Sequence, residues 1–556
     1  MPYITEERRM IQEQAREFTL NEVLPVANKL DPEKGDIPMD LREKMAELGY
    51  FGILIPEQYG GLGMDYISFA LLCEELERAD TAFRVVQSVH VGLNSLTLLQ
   101  WATEEQKQRW LPGVHRGEAI AAFALTEPGV GSDPATLQTR AEPTADGQHF
   151  VINGEKLWCT NGLKAGVLVV MVQTPPKLVN GKERKQVTAF IVDAHAPGIT
   201  LGAVEQKMGI KASDTRTVSF ENVLVPVEDR LGDVGAGFKI ALEILNSGRL
   251  GLAAGSSRGT RAILDRALAY AKEREQFGRP IGSFEMIQRK FAVTAAECYA
   301  ADAAWMTCAA MVDRGGIDFS LETAACKVYA SELAFRAACD AQQIAGGIGY
   351  SKDYPYEQAV RDSRINLIFE GTNEILRALI ALSGLQQPGE SLNALGKAFK
   401  DPLHSLGAIG SYITGRVKKQ IVKPEFTKVH PALQDEADMV ADAIHGLALA
   451  VEKCLIEHGK SIIERQFHQE RMANAAIDIF FSTAALSRCT WAIHKAGSVE
   501  AAGADIDNVK VFVPMAMRRT RRFVRALEKN ADGRLKALAE RALANGTLTV
   551  QTPTDA

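Results

Sequence analysis

The chain has 556 residues and no run approaching about 18 consecutive apolar ones, so no segment reads as a membrane-spanning helix. It also lacks a basic surplus. Its 63 Lys and Arg stand against 69 Asp and Glu, a net charge of −6, whereas a nucleic-acid binder carries excess cations to neutralise phosphates. Nucleic acid is therefore not an expected partner. The 8 cysteines form no C-x-x-C pair and the 10 histidines no H-E-x-x-H spacing, so neither a redox pair nor a metal centre is expected. Buried free thiols in a reducing compartment are the simple reading. No G-x-G-x-x-G occurs, which removes the Rossmann dinucleotide site. The N-terminus, MPYITEERRMIQEQAREF, has no apolar signal-peptide core and too many Glu for a transit peptide. The expectation is a soluble intracellular protein, or one whose targeting segment has been removed. That means cytoplasmic if bacterial, mitochondrial matrix or inner membrane if a processed eukaryotic form.

Hydrophobic residues make up 46% and charged residues 24%, enough to build large cores. At roughly 150 residues per domain the length suggests three to four domains. Residues 1–116 repeat apolar positions at three and four residues, the period of amphipathic helices. Between 117 and 230 the texture changes to short β-rich runs such as AIAAFALT, VLVVMVQT and VTAFIVDA, which suit a small barrel or sandwich. Helical texture returns over 231–387. GLQQPGES, residues 384–391, reads as a linker or sharp turn, and 388–556 as a further helical region.

Two motifs are set aside. GSSRG, residues 255–259, matches the G-x-S-x-G elbow around Ser257 but lies in a helical run, where the elbow needs a strand before it. RRTRRFVR, residues 518–525, falls on a helical pattern near Glu528 and Asp532 and reads as a solvated or pairing face. Two segments carry more. FALTEPGVGSD, Phe123 to Asp133, ends a strand-like run in hydroxyls and open glycines, a cradle for a phosphate or the polar edge of a ring. In RDSRINLIFEGTNEILRALIAL, Glu370 follows an apolar run and Thr372 is placed to N-cap a helix starting at Asn373. Desolvation there would raise the carboxylate's pKa and suit it to general-base work. On the residues alone, a Glu in a turn facing water remains the alternative.

ALTEPGVGSD and QQIAGGIGYSKDYPYEQAVRDSRINLIFEGTNEIL together resemble the two signatures of the acyl-CoA dehydrogenase family. LWCTNG, KMGIKASDTRTVSFENVLVP, LGDVGAGF and REQFGRPI follow in the family's order. HPALQDEADMVADAIHGLAL and QFHQERMANAAID are similar to the extra C-terminal helical region of its very-long-chain branch. The resemblance covers the whole chain. It implies an α+β multidomain fold: an N-terminal helical domain (1–116), a middle β-barrel domain (117–230), a C-terminal four-helix domain (231–387) and an extra helical domain (388–556).

The resemblance also assigns residues. Phe123, Leu125 and Thr126 match positions along the pyrimidine side of FAD, Gly131 and Ser132 those near its pyrophosphate. Trp158 and Thr160 match the pair at the isoalloxazine ring. Arg274, Gln276 and Phe277 match a segment reaching FAD of the other subunit in a homodimer, and Gln343, Gly346 and Gly347 the loop that receives the partner's adenosine. Thr372 and Glu374 match further flavin contacts. Ser132, Asn246, Arg249 and Gly371 match substrate-side or helix-positioning residues, and RVVQSVHVG, residues 84–92, matches the pocket floor. The implied reaction is α,β-dehydrogenation of a long or very-long-chain fatty acyl-CoA to the trans-2-enoyl-CoA, the first step of β-oxidation. Glu370 removes the α-proton, and electrons pass to electron-transferring flavoprotein. Some family members carry the base on an earlier helix, where this chain has Gly248. Two rivals use the same fold: an acyl-CoA oxidase, whose E-G-D-N type sequence contrasts with EGTN here, and a non-catalytic respiratory assembly scaffold. Residues 392–424 interleave apolar Leu395, Phe399 and Leu403 with Lys397, Lys400 and Lys418, an expected peripheral contact with anionic lipid or part of the dimer.

Overall fold

The computed structural model describes residues 3–33, 35–400 and 423–548, with backbone alone for 32–33 and 387–400. Most of the 392–424 segment expected to touch lipid lies outside the described side chains. The chain divides into two compact units. One is Met1–Leu376 with Ser487–Val509, the other Arg377–Leu486 with Lys510–Ala556.

The first unit begins with helices α1 (Glu6–Phe18), α2 (Leu24–Glu33), α3 (Met39–Glu47), α4 (Tyr66–Glu77), α5 (Thr81–Gln87), α6 (Leu96–Trp101) and α7 (Glu104–His115). Side chains that satisfy the free N–H groups fix several starts: Asp65 accepts from Ser68, Asp80 from Ala82, and Thr103 with Gln106 forms a reciprocal cap. Between α5 and α6 the chain widens into a π-helical stretch, Ser88–Ser95. Such wider turns re-aim side chains and recur at functional sites.

The middle segment forms one mixed eight-stranded sheet from β1 (Ile120–Ala124), β2 (Arg140–Pro143), β3 (His149–Thr160), β4 (Ala165–Val179), β5 (Lys182–Asp193), β6 (Ile199–Val204), β7 (Thr215–Pro226) and β8 (Arg230–Leu231). Its order is β6-β7-β3-β2-β4-β5-β8, with β1 added parallel to β4. β4 is covered on both faces. Successive side chains point to opposite faces, so Leu168, Val170 and Val172 enter a core shared with Phe150, Phe190 and Phe220, while Val169 and Met171 join the core of the helical segment.

Helices α8 (Gly237–Glu273), α9 (Glu285–Arg314), α10 (Ser320–Ala345), α11 (Gly347–Tyr350), α12 (Pro355–Arg364) and α13 (Asn373–Lys400) follow, with a small hairpin, β9 (Glu275–Gln276) and β10 (Arg279–Pro280), after α8. Arg361 on α12 ties distant segments together. It makes two bonds to Asp31, at 2.9 and 2.8 Å, and one to the Met208 carbonyl. GSSRG lies inside α8, where Ser257 is fully buried and donates to Asp302 at 2.6 Å. It has no nucleophile-elbow geometry.

The break expected at 384–391 is not there. α13 runs through it, Pro388 included. A proline removes only its own N–H and crowds the carbonyl four residues back, and α7 accommodates Pro112 in the same way. Seven of the cysteines are buried free thiols, and Cys339 is half-buried. No helix among the described residues is long and apolar enough to cross a membrane.

In the second unit, Asp478 on the helix Gln466–Ala496 is buried and accepts from Arg519 at 2.7 and 3.1 Å, and Arg471 pairs with Asp532. Arg519 belongs to the 518–525 run, so at least part of that run is a pairing face.

Candidate active site

After Leu367 the chain leaves a tight helical turn and reverses before α13. Thr372 caps that helix as expected, its hydroxyl accepting from the Ile375 N–H at 3.3 Å. The reversal is made by two consecutive left-handed residues, Glu370 at φ +58° and Gly371 at φ +89°. Glycine takes that conformation freely; a glutamate does not, and pays roughly 1–3 kcal/mol for a sparsely populated backbone region. Buried side chains hold it there. Arg249 Nε on α8 donates to the Glu370 carbonyl at 3.0 Å, and Lys327 Nζ on α10 donates to the Gly371 carbonyl at 2.8 Å. Lys327 also donates to Asn373 Oδ1 at 2.8 Å, and Asn373 Nδ2 to Ser331 at 3.1 Å. The Glu370 N–H finds no acceptor among the described residues.

The Glu370 carboxylate oxygen Oε2 is buried and has no hydrogen-bond partner among the described residues. Burial raises its pKa, and the nearby charges of Arg84, Arg249 and Lys327 pull in the opposite direction without cancelling the rise. Each cation is itself constrained. Arg84 is fully buried, donating from Nε to Glu77 at 2.7 Å and from Nη2 to Asn366 at 2.9 Å. Burial lowers Arg249 to about 10 and Lys327 to about 7. Gly248 faces the same carboxylate. A Cβ there would lie 2.9 Å from Glu370 Oε2 and 2.8 Å from Leu93 Cδ2, so only glycine fits without displacing both.

Around Glu370 opens a cavity of about 240 Å³. Ten of the residues assigned from sequence line it: Phe123, Leu125, Thr126, Gly131, Ser132, Trp158, Thr160, Arg249, Glu370 and Gly371. Arg84, Val85, Ser88 and Val89 of the expected floor line it too, with Leu93 from the π-helical stretch. The hydroxyl-bearing wall rests on a buried ion pair. Lys156 Nζ lies 2.7 Å from Glu127 Oε1 and donates to the Leu125 carbonyl at 3.1 Å, while Glu127 accepts the N–H groups of Gln138 and Thr139. Burial lowers Lys156 to about 8. Burial also pushes Glu127 upward, but Lys156 and the two N–H donors outweigh it and hold the carboxylate below its usual value. Trp158 sits where the β3–β7 register shifts, between Lys156 and Cys159, at φ +54°. The bulge turns its ring out to 60% exposure at the cavity.

The other assigned residues do not line this cavity. Asn246 accepts from Arg249 Nη1 at 2.7 Å, one step behind it. Thr372 and Glu374 lie on the α13 start, beyond the lining. Arg274 ends α8, and Gln276 and Phe277 sit on the hairpin, Phe277 94% exposed at φ +54°. Gln343, Gly346 and Gly347 are exposed at the α10–α11 junction. Sequence reasoning missed Lys327, Glu127, Lys156 and the charge of Arg84 at the inner wall. Glu127 stands inside ALTEPGVGSD, and Lys327 is a lone cation in the Ala-rich LETAACKVYASELAF; both were visible signals.

Profiles for the acyl-CoA dehydrogenase N-terminal, middle and C-terminal domains match residues 5–118, 122–223 and 235–385, and one for the ACAD9/ACADV C-terminal domain matches 431–548. The very long-chain specific acyl-CoA dehydrogenase of rat mitochondria is 38% identical over 473 residues, 83% of this chain and 72% of that protein. A probable acyl-CoA dehydrogenase of Bacillus subtilis is 34% identical over 90% of this chain and 83% of its own length. The solved acyl-CoA dehydrogenase of Bacillus anthracis, complexed with FAD, superposes with a TM-score of 0.81 at 30% identity, covering 99% of this chain and 93% of that one. The chain belongs to the acyl-CoA dehydrogenase family, in the branch that carries the additional C-terminal helical domain.

Proposed function

We propose that this chain catalyses α,β-dehydrogenation of an acyl-CoA thioester with Glu370 as the base. One observation carries the reading: a buried carboxylate oxygen and a neighbouring N–H, both without a hydrogen-bond partner among the described residues, fixed in a left-handed turn. The carboxylate takes the α-proton. The Glu370 N–H is free to donate to the thioester oxygen as negative charge builds there. An apolar acyl tail against Val85, Val89, Leu93 and Phe369 excludes water and strengthens both interactions.

The lining fits FAD. A Cβ at Gly129 or Gly131 would meet nothing within 4 Å, leaving room beside the hydroxyls of Thr126, Ser132 and Thr160, and Trp158 offers an exposed ring. FAD, when bound, supplies the acceptor for the β-hydrogen as hydride, and the product is the trans-2-enoyl-CoA. In this reading Arg274, Gln276, Phe277, Gln343, Gly346 and Gly347 serve the cofactor across a homodimer, and Thr372 and Glu374 add contacts at the flavin. Likeness to the very-long-chain branch supports long acyl groups as substrates and electron-transferring flavoprotein as acceptor.

Anaerobic mixing of the FAD-loaded enzyme with acyl-CoA thioesters of graded length tests the reading. Flavin bleaching with formation of the 2-enoyl thioester is expected. Absence of bleaching at every length would overturn it, and faster reoxidation by oxygen than by electron-transferring flavoprotein would favour an oxidase.

A further inference from the structure

Three cations act on Glu370, and they differ in one respect. Arg84 and Arg249 are guanidinium groups, which stay charged throughout the neutral range: burial lowers Arg249 only to about 10, and Arg84, against its own burial, is raised by its pairing with Glu77. Lys327 is an amine. It is fully buried on α10, yet among the described residues its three N–H groups have two acceptors, the Gly371 carbonyl and Asn373 Oδ1, each at 2.8 Å. A neutral amine has two N–H groups, enough for both bonds. Losing its proton therefore leaves the turn held and removes only the charge. We propose that Lys327 is a positioning residue for proton abstraction: it fixes the turn that carries Glu370 and, by holding or shedding its charge, sets how basic that carboxylate is.

The surroundings of Lys327 support a charge poised to change. Glu370 from the turn, Arg249 from α8, Glu332 from its own helix and Glu374 from α13 face it, and the Arg249 charge opposes its own. Burial dominates these and brings its pKa to about 7. Below that pH the ammonium favours the ionised form of Glu370 and keeps the carboxylate a weaker base. Above it the carboxylate loses one of three stabilising charges, and its proton affinity rises. The same bonds hold the Gly371 carbonyl in both states.

The proposal rests on Glu370 being the base, and the test separates the two. The rate of flavin reduction is followed against pH in the FAD-loaded enzyme, with palmitoyl-CoA and hexanoyl-CoA as probes. Wild type, Lys327→Met, Lys327→Arg and Glu370→Gln are compared. Lys327→Met removes a neighbouring positive charge, so the acid limb should move to higher pH by about one unit. Lys327→Arg keeps the charge at every pH, so its acid limb should stay in place while any inflection near neutrality disappears. A purely structural lysine would change the rate in Lys327→Met without moving the limb, and that result overturns the proposal. If Lys327→Met fails to fold, Lys327→Arg decides alone: an inflection near neutrality that persists in it overturns the proposal. If Glu370→Gln reduces flavin at a near-normal rate, the base assignment falls and the role of Lys327 falls with it. An inert Glu370→Gln with an unmoved Lys327→Met limb sinks the lysine proposal only.

Discussion

The turn at Glu370 and the hairpin at Phe277 are both named by family likeness, and both carry a bulky residue in the left-handed region. They are otherwise opposite. Around Glu370 the chain supplies its own constraints: Arg249, Lys327 and Asn373 hold the backbone, and Gly248 leaves room for the carboxylate. Around Phe277 it supplies a two-residue ladder and an edge contact to Phe284 at 6.2 Å, and leaves the ring 94% exposed. Strain in the first place is held by the interior of the same chain. In the second it is presented outward. A turn held by buried side chains of its own chain and a hairpin with an exposed ring should respond differently to substitution.

The sharpest separation comes from Glu370→Gln. It keeps the shape of the turn but removes the proton acceptor, and loss of a general base costs about 10²–10⁴-fold. Flavin should remain bound and unbleached on mixing with acyl-CoA, as read by stopped-flow absorbance. Glu374→Gln, four residues on and exposed on the α13 start, should retain substantial turnover. A reversed pattern would place the chemistry elsewhere.

Gly248→Ala probes the inner site from behind. Its new Cβ must push both Glu370 Oε2 and Leu93 Cδ2 by several tenths of an ångström. Both are ends of flexible side chains, so folding should survive. Misplacing the base should not be tolerated as well: displacements of order 1 Å cost up to about 10²-fold in rate. A fall of roughly ten-fold in kcat, with flavin content unchanged, is expected from the same geometric argument. An unaltered kcat would show that the carboxylate is not held where it works.

Much of this contrast was legible in the sequence, but unevenly. Thr372 as the cap of α13 follows from a local rule about free N–H groups and stands in the structure, whereas the residues alone leave a water-facing Glu370 open and the structure buries its Oε2. What surrounds Glu370 does not follow. Lys327 lies 43 residues away and Arg249 lies 121 away in sequence, so their bonds to the turn are products of helix packing that no local pattern encodes. Family likeness named Arg249 but said nothing of Lys327. The Lys156–Glu127 pair was hidden for a similar reason, since strand periodicity marks which face is buried and is silent on which buried charge meets which. The misread at 384–391 has the opposite origin. Pro and Gly are local breakers, and a helix 28 residues long overrides them.

Arg274→Ala addresses the outer site through the cofactor. A charge-assisted hydrogen bond is worth about 1.5–3 kcal/mol, or roughly ten- to a hundred-fold in affinity. The variant should purify with sub-stoichiometric FAD and recover activity when FAD is added in excess. Glu370→Gln should not show that rescue, which is how the two regions are told apart. Full occupancy and unchanged FAD affinity in Arg274→Ala would mean that the hairpin is not part of the cofactor site.

The smallest expected effect is on folding of the hairpin itself. Phe277 loses little by substitution if its ring meets only Phe284 in a folded subunit, because an edge contact between aromatic rings is worth about 0.5–1.5 kcal/mol. Glycine at the same position relieves the left-handed backbone, whose cost for a side-chain-bearing residue is of similar size, about 1–3 kcal/mol. The two changes oppose each other, so Phe277→Gly should leave the urea unfolding free energy of the flavin-free protein within about 1 kcal/mol of wild type. Its FAD affinity should nevertheless fall, since a ring kept exposed against backbone strain has its use outside the subunit's own core. A loss of several kcal/mol in the flavin-free protein would mean that the ring is already buried in an assembly before cofactor binds. That outcome would break the distinction between a turn held by its own chain and a hairpin with an exposed ring.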